Sequence, residues 1–209
     1  PRMLRGKAPA YAIRGIADLA MPTMAGDAAT LRAAIDTAYC SKPDATHEAL
    51  AELLSQTASA PLQGTRQLDA LAKETHQPEH GATYATNGVA TQFREAARLI
   101  KAGLGTEVIQ IDSGGWDTHN NQGSTNGGYA TQLRSLTQAM TAFHTDLGDR
   151  MSDILVLTLS DFGRTVRQNG TNGTDHGWAN AMIAIGGSLA KSDKPVLGNW
   201  PTLAPENLH

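Results

Sequence analysis

Tyr129, Leu133, Leu136, Met140, Phe143 and Leu147 recur at alternating steps of four and three residues, the spacing of one buried stripe on a long amphipathic helix. Gly148 closes that pattern, and Ile154-Leu155-Val156-Leu157-Thr158-Leu159 follows as a continuous apolar run, the signature of a strand buried on both faces. Before the helix, Val108-Ile109-Gln110-Ile111 reads as a second short strand. Residues 108 to 159 therefore predict a strand, helix, strand unit whose strands are parallel and joined by a right-handed crossover. The segments that follow Ile111 and Leu159 should leave the sheet at one carboxyl edge, where open α/β sheets bind ligands.

The rest of the chain is organised around that unit. Phe93, Ala96, Ala97, Ile100 and Leu104 share one helical face, and Gly103 and Gly105 end it. Ala181-Met182-Ile183-Ala184-Ile185 is expected as a strand antiparallel to 154–159, because no helical pattern between them offers a crossover. Residues 1–87 form an Ala-rich, helix-prone region, with Leu50, Leu53, Leu54 and then Leu68, Leu71 at helical spacing, broken by Pro22, Pro43, Pro61 and Pro78. Its histidines, His47, His76 and His80, read as scattered surface residues, and residues 88–209 as the α/β segment bearing the site loops. The predicted fold is α/β: an open, mostly parallel sheet with helices on both faces. Pro1 and the ending at His209 resemble neither terminus of a natural protein, so the fold is expected to be incomplete at both ends.

Composition removes several functions. With 40% hydrophobic and 18% charged residues and no apolar run near the roughly 20 residues that cross a bilayer, no membrane span is expected. A net charge of -3 without a Lys/Arg cluster argues against nucleic acid, which demands concentrated positive charge. Cys40 is the single cysteine, so the chain can close no internal disulfide and build no cysteine-based zinc site; a metal here must use His and carboxylates. Small substrates remain.

Three polar segments fall at the expected sheet edge. The first is Asp112-Ser113-Gly114-Gly115-Trp116-Asp117-Thr118-His119-Asn120-Asn121-Gln122. In an extended stretch residues two apart point the same way, so Asp117 and His119 can offer a carboxylate and an imidazole to one cation. The glycines permit a tight turn and Trp116 can exclude water; the plain alternative is an Asp and a His capping a surface loop. Asp112-Ser113-Gly114-Gly115 also matches the nucleophile region of trypsin-like proteases, but the paired-barrel pattern of those enzymes is missing. The second segment, Ser160-Asp161-Phe162-Gly163-Arg164-Thr165, puts Asp161 at the end of a buried strand, where a carboxylate needs a partner or a metal. Arg164 offers a fork for an anionic oxygen or a salt bridge to Asp161, unless Asp161 only caps a turn and Arg164 lies on the surface. The third, Asn169 to Gly177, is a three-glycine loop ending in Asp175-His176, either of which could bind metal. His144, beside core-facing Phe143, is assigned no role.

Together Gly114-Gly115-Trp116-Asp117-Thr118-His119, Ser160-Asp161-Phe162-Gly163-Arg164-Thr165 and Gly173-Thr174-Asp175-His176-Gly177, with Gly198-Asn199-Trp200-Pro201, resemble a bacterial domain-of-unknown-function family numbered fifteen-oh-one. That family is often exported by the twin-arginine route and is placed near the alkaline phosphatase and sulfatase superfamily. The resemblance implies an alkaline-phosphatase-like fold, a periplasmic or envelope location, and metal-dependent hydrolysis of phosphate or sulfate esters. It implies a divalent metal, zinc first and manganese, magnesium or calcium as alternatives, with a ligand set drawn from Asp112, Asp117, His119, Asp161, Asp175 and His176. Arg164 becomes the catalytic anion-binding group, and the substrate a small anionic ester or a carbohydrate derivative. Phe162 stands where many superfamily members have a metal-binding His, and the nucleophile is expected before Pro1. The competing function is a non-catalytic exported binding or assembly protein that keeps the fold.

Overall fold

The computed structural model describes residues 15–16, 30, 33–34, 37, 64, 67–187, 189 and 196–207. The helical spacing expected around Leu50 to Leu54, together with His47 and Cys40, lies outside them. The chain divides into two compact units, one of residues 1–77 with 98–106 and the other of residues 78–97 with 107–209. In the first, residues 67–73 are helical, as their leucine spacing requires, and Leu68 is buried. Arg98 donates to the carbonyls of Leu71 (2.7 Å) and Glu74 (3.2 Å), supplying donors to carbonyls at the end of that helix.

The second unit is built on two helices, residues 88–97 of α1 (Gly88–Lys101) and α2 (Gly128–Leu147). Asn87 starts α1: its side-chain oxygen accepts the Ala90 N–H at 2.9 Å, the geometry of an N-cap. Ala90, Phe93, Ala96 and Ala97 are buried, and Phe93 meets Phe143 of α2 edge to face, with ring centroids 5.3 Å apart. The stripe on α2 is buried only in its last two turns, at Met140, Phe143 and Leu147, joined by Ala139, Ala142 and Asp146. Leu133 is exposed, while Tyr129 turns its ring onto Trp116 at 5.8 Å. Gly148 ends α2 at φ 51°, a left-handed conformation that glycine adopts without strain, and its N–H returns to the His144 carbonyl.

A 3-10 turn (Gly148–Asp153) leads into β1 (Leu155–Leu157), and β2 (Gly163–Arg164), β3 (His176–Gly177) and β4 (Ala184–Gly186) follow. β1 pairs antiparallel with β4, Val156 opposite Ile185, as the missing crossover predicted, and Thr158 continues the ribbon by donating to Ile183 O. β2 pairs antiparallel with β3, Arg164 opposite His176. Arg164 also bonds Ala179 in both directions, so it is bridged both to His176 and, past the bend at Trp178, to Ala179.

Two expectations for strands are not met by the described residues. Residues 108–111 form no ladder, and no parallel pair is present among the described residues, whose sheets are both two-stranded. In place of a neighbouring strand, the Gln92 amide brackets Asp112, donating to its carbonyl (3.1 Å) and accepting its N–H (3.2 Å). Gln132 likewise donates to Gly114 O. The second concerns burial: Leu155, Leu157 and Leu159 are exposed, because a two-stranded ribbon has no second layer on that face.

Candidate metal centre

The first polar segment does not run extended through its key residues. Thr118 N–H bonds the Trp116 carbonyl (3.0 Å) and His119 N–H bonds that of Asp117 (3.2 Å), two successive three-residue turns. They still turn Asp117 and His119 to one place, with His119 Nε2 2.9 Å from Asp117 Oδ1. The third segment is sewn to the first. Asn121 and Gln122 donate to the carbonyls of Thr171 and Asn172, and Thr174 N–H returns to Thr118 O. The Gln122 side-chain oxygen accepts both Thr118 (2.7 Å) and Thr174 (2.8 Å) hydroxyls. The three-glycine loop is thus tightly held rather than loose. Gly173 is buried against the backbone of Thr118 and His119, where a Cβ would collide with the His119 carbonyl. Gly173→Ala is expected to cost about 1–3 kcal/mol, the range for overpacking, and to part the two loops, which loss of amide protection at Asn121 and Gln122 would register.

β2 and β3 bring the remaining groups in. His176 Nε2 lies 3.1 Å from Asp117 Oδ1, and His119 Nδ1 lies 2.9 Å from Asp175 Oδ1. The imidazoles of His119 and His176 stack at 5.1 Å, and the Phe162 ring packs tilted against His176 at 4.7 Å. Arg164, with only 16% of its side chain exposed, lies 5.6 Å from the Phe162 ring and bonds Asp117 at 2.6 Å rather than Asp161. Its other donors go to the Thr174 hydroxyl (3.0 Å) and carbonyl. Arg164 is therefore an anchor of Asp117 first, with three of its five N–H groups committed within the protein.

One ligand atom from each of Asp117, His119 and His176 falls within 4.8 Å of the others. A divalent metal with bonds of about 2.0–2.1 Å in tetrahedral geometry holds its ligand atoms roughly 3.3 Å apart. The observed 2.9 and 3.1 Å need only a slight opening. The chemistry of the donors fits too. Each nitrogen of His119 faces a carboxylate oxygen at 2.9 Å, and a neutral ring has one N–H to offer, so one of the two contacts sets acceptor against acceptor and is a place a cation would relieve. Two imidazoles and one carboxylate form a three-ligand set of the kind that leaves a position open in catalytic zinc sites. The half-exposed side chains of Asp117 and His176 leave room for that position.

Of the remaining expected ligands, Asp175 holds His119 from behind, while Asp112 and Asp161 stand apart. Asp112 accepts from Gln110 at 3.0 Å, and Asp161 lies in an exposed bend. β1 ends at Leu157, so Asp161 does not sit at the mouth of a buried strand and escapes the desolvation that would have demanded a metal. Sequence reasoning did not single out Asn169, Thr174 or Gln122. An Asn before Gly signals a side-chain-capped turn, and that signal was available for Asn169.

Electrostatics keeps both carboxylates ionised. At Asp117 partial desolvation pushes the carboxyl up, but the Arg164 hydrogen bond and the charges of His119, His176 and Arg164 together hold it below its ordinary value. At Asp175 the Asn169 and His119 hydrogen bonds do the same. Because both are depressed, their contribution to joining the loops is fully present above the ordinary carboxylate range and is lost as pH falls below that range through their lowered values. On acidification the ring resonances of His119 and His176 should leave their clustered environment below that range, while those of Phe93 and Phe143 persist.

No curated protein and no solved structure matches the chain. Residues 20–209 match the family described as protein of unknown function (DUF1501), and the chain belongs to that family.

Proposed function

We propose that this chain forms part of a metal-dependent hydrolase of the alkaline phosphatase and sulfatase type, cleaving phosphate or sulfate esters at a centre made by Asp117, His119 and His176. The observation that carries the reading is the meeting of two imidazole Nε2 atoms and one carboxylate oxygen on an exposed loop surface. Zinc suits this nitrogen-rich set best, with manganese, magnesium and calcium as alternatives. When bound, the metal supplies Lewis acidity towards an ester oxygen or water. The chain's own residues do the rest. Asp175 fixes His119 from behind, Phe162 backs His176, and Arg164 steadies Asp117 while keeping positive charge where an anionic ester would arrive. An alkaline-phosphatase-like parallel sheet, an exported, periplasmic or envelope location, and a small anionic or carbohydrate-derived substrate belong to the same proposal.

The test loads the protein with zinc, manganese, magnesium or calcium in turn, measures binding by calorimetry, and screens aryl phosphates and aryl sulfates. Zinc is expected to bind with one ion per chain. Failure of all four metals to bind, with no turnover, sinks the reading.

Two observations favour the second reading, a non-catalytic binding or assembly protein. Phe162, not a ligand, packs against His176, and Leu155, Leu157 and Leu159 expose apolar surface. Partner or carbohydrate binding that survives the Asp117→Ala, His176→Ala double substitution would support it over hydrolysis.

A further inference from the structure

Asn169 has every polar atom of its side chain in use. Its oxygen accepts the N–H of Thr171 (3.0 Å), the N–H of Gly173 (2.9 Å) and the Thr171 hydroxyl (3.0 Å). Its amide nitrogen donates to the His119 carbonyl (2.9 Å) and to Asp175 Oδ1 (2.8 Å). This orientation of the amide is forced. With oxygen and nitrogen exchanged, an acceptor would face a carbonyl and a carboxylate, and a donor would face two N–H groups. The Asp175 oxygen held by Asn169 is the same atom that faces His119 Nδ1 at 2.9 Å. Asn169 thus grips His119 twice, directly at its backbone and through Asp175 at its ring.

We propose that Asn169 is a positioning residue for His119: by holding Asp175 Oδ1 in place it keeps the ring proton on Nδ1 and presents the Nε2 lone pair towards Asp117 for a cation. The inference rests on the metal-centre reading for its purpose, not for its geometry. A carboxylate behind a ligand imidazole fixes both tautomer and ring direction. Here the carboxylate is exposed at the surface of a loop, where water would compete for it and let it swing. The Asn169 amide is the group that removes that freedom, because the same side chain also pins the loop through Thr171 and Gly173.

The two halves of the Asn169 amide can be separated. Asn169→Asp keeps the size and the accepting oxygen that shapes the loop, but replaces the donor with a second oxygen facing Asp175. Two readouts are needed, both on the whole chain. In metal-free protein in mildly alkaline buffer, nitrogen NMR should show His119 with a protonated Nδ1 and a bare Nε2. Asn169→Asp should mix or reverse that pattern. Zinc affinity, measured by chelator competition, should fall by about 10–100-fold, the usual effect of losing an outer partner of a ligand histidine. Thr171→Val, which removes hydroxyl bonds to the His119 carbonyl and to the Asn169 oxygen but leaves Asp175 held, should change affinity only a few-fold. Should Asn169→Asp fail to fold, Asp175→Asn reads the same tautomer from the other end of the relay. A wild-type tautomer pattern and wild-type affinity in these variants would overturn the proposal while leaving the metal centre standing. A locked tautomer in the parent that is lost in Asn169→Asp, with no zinc bound by either, would keep the positioning role and remove the metal reading.

Discussion

Asp117→Ala is expected to abolish tight zinc binding while leaving the fold of the second unit intact. Asp117 Oδ1 is the atom on which the site converges, at 2.9 Å from His119, 3.1 Å from His176 and 2.6 Å from Arg164. Removing it takes away the only carboxylate of the three-ligand set and leaves two imidazoles beside an unneutralised guanidinium. Both changes oppose a dication. The affinity loss should therefore exceed the ~10–100-fold that follows from loss of an outer partner. Stability should change little, because Asp117 is half exposed and water screens an ion pair made by an exposed carboxylate. Asp112→Ala and Asp161→Ala are the internal controls: neither side chain joins the cluster, so neither should alter zinc affinity measurably. Equal affinity in Asp117→Ala and the parent would dismiss the centre as drawn. Loss of binding in Asp161→Ala would mean that the loops close further than this structure shows.

The contrast among these aspartates shows what the sequence made legible. Asp117, His119, Asp175 and His176 could be picked out because dense polar chemistry interrupts apolar elements, and the antiparallel return of β4 to β1 followed from the lack of a crossover helix. The short range of such patterns set the limit. A short, mostly apolar run at 108–111 does not state whether a strand will lie beside it, and here the backbone just beyond it, at Asp112 and Gly114, is taken by the side-chain amides of Gln92 and Gln132. Arg164 was recognised as a fork but its partner was not, since Asp161 is near in sequence while Asp117 is brought near only by loop pairing. Asn169 and Gln122 were passed over for the same reason. Uncharged amides carry no signal of their own until the groups they bridge, 50 residues apart for Asn169 and the His119 carbonyl, are known to meet.

The same blindness hid Asp146, and it leads to the largest stability effect expected in the chain. Its position on the apolar face of α2 gives it 0% exposure, beside Leu147. One oxygen accepts the backbone N–H of Glu79 at 2.5 Å and the other the hydroxyl of Tyr84 at 3.0 Å, which tie the segment before α1 to the last turn of α2. Tyr84 reports the strength of this environment: burial first, then the hydrogen bond and charge of Asp146, push its hydroxyl far above the ordinary tyrosine range, with Arg94 opposing weakly. Asp146→Ala would strip the acceptor from two part-buried hydrogen bonds and open a hole at a fully buried position, and each donor left without a partner costs about 1–3 kcal/mol. A loss of roughly 3 kcal/mol or more is expected from the same principle, against about 1 kcal/mol for Tyr84→Phe, which removes a donor and leaves the Glu79 bond in place. All three tryptophans, Trp116, Trp178 and Trp200, belong to the second unit, so their fluorescence in a urea titration follows the part of the molecule that Asp146 holds. Asp146→Asn should fall between the two, since its amide keeps one acceptor for Glu79 and offers Tyr84 a donor in exchange. An unchanged unfolding midpoint in Asp146→Ala would show that segment 78–84 is dispensable to the unit. A large shift accompanied by unchanged zinc affinity at native conditions would instead show that the loop pairing around Asn169 and Gln122 keeps the centre assembled independently of the α2 anchor.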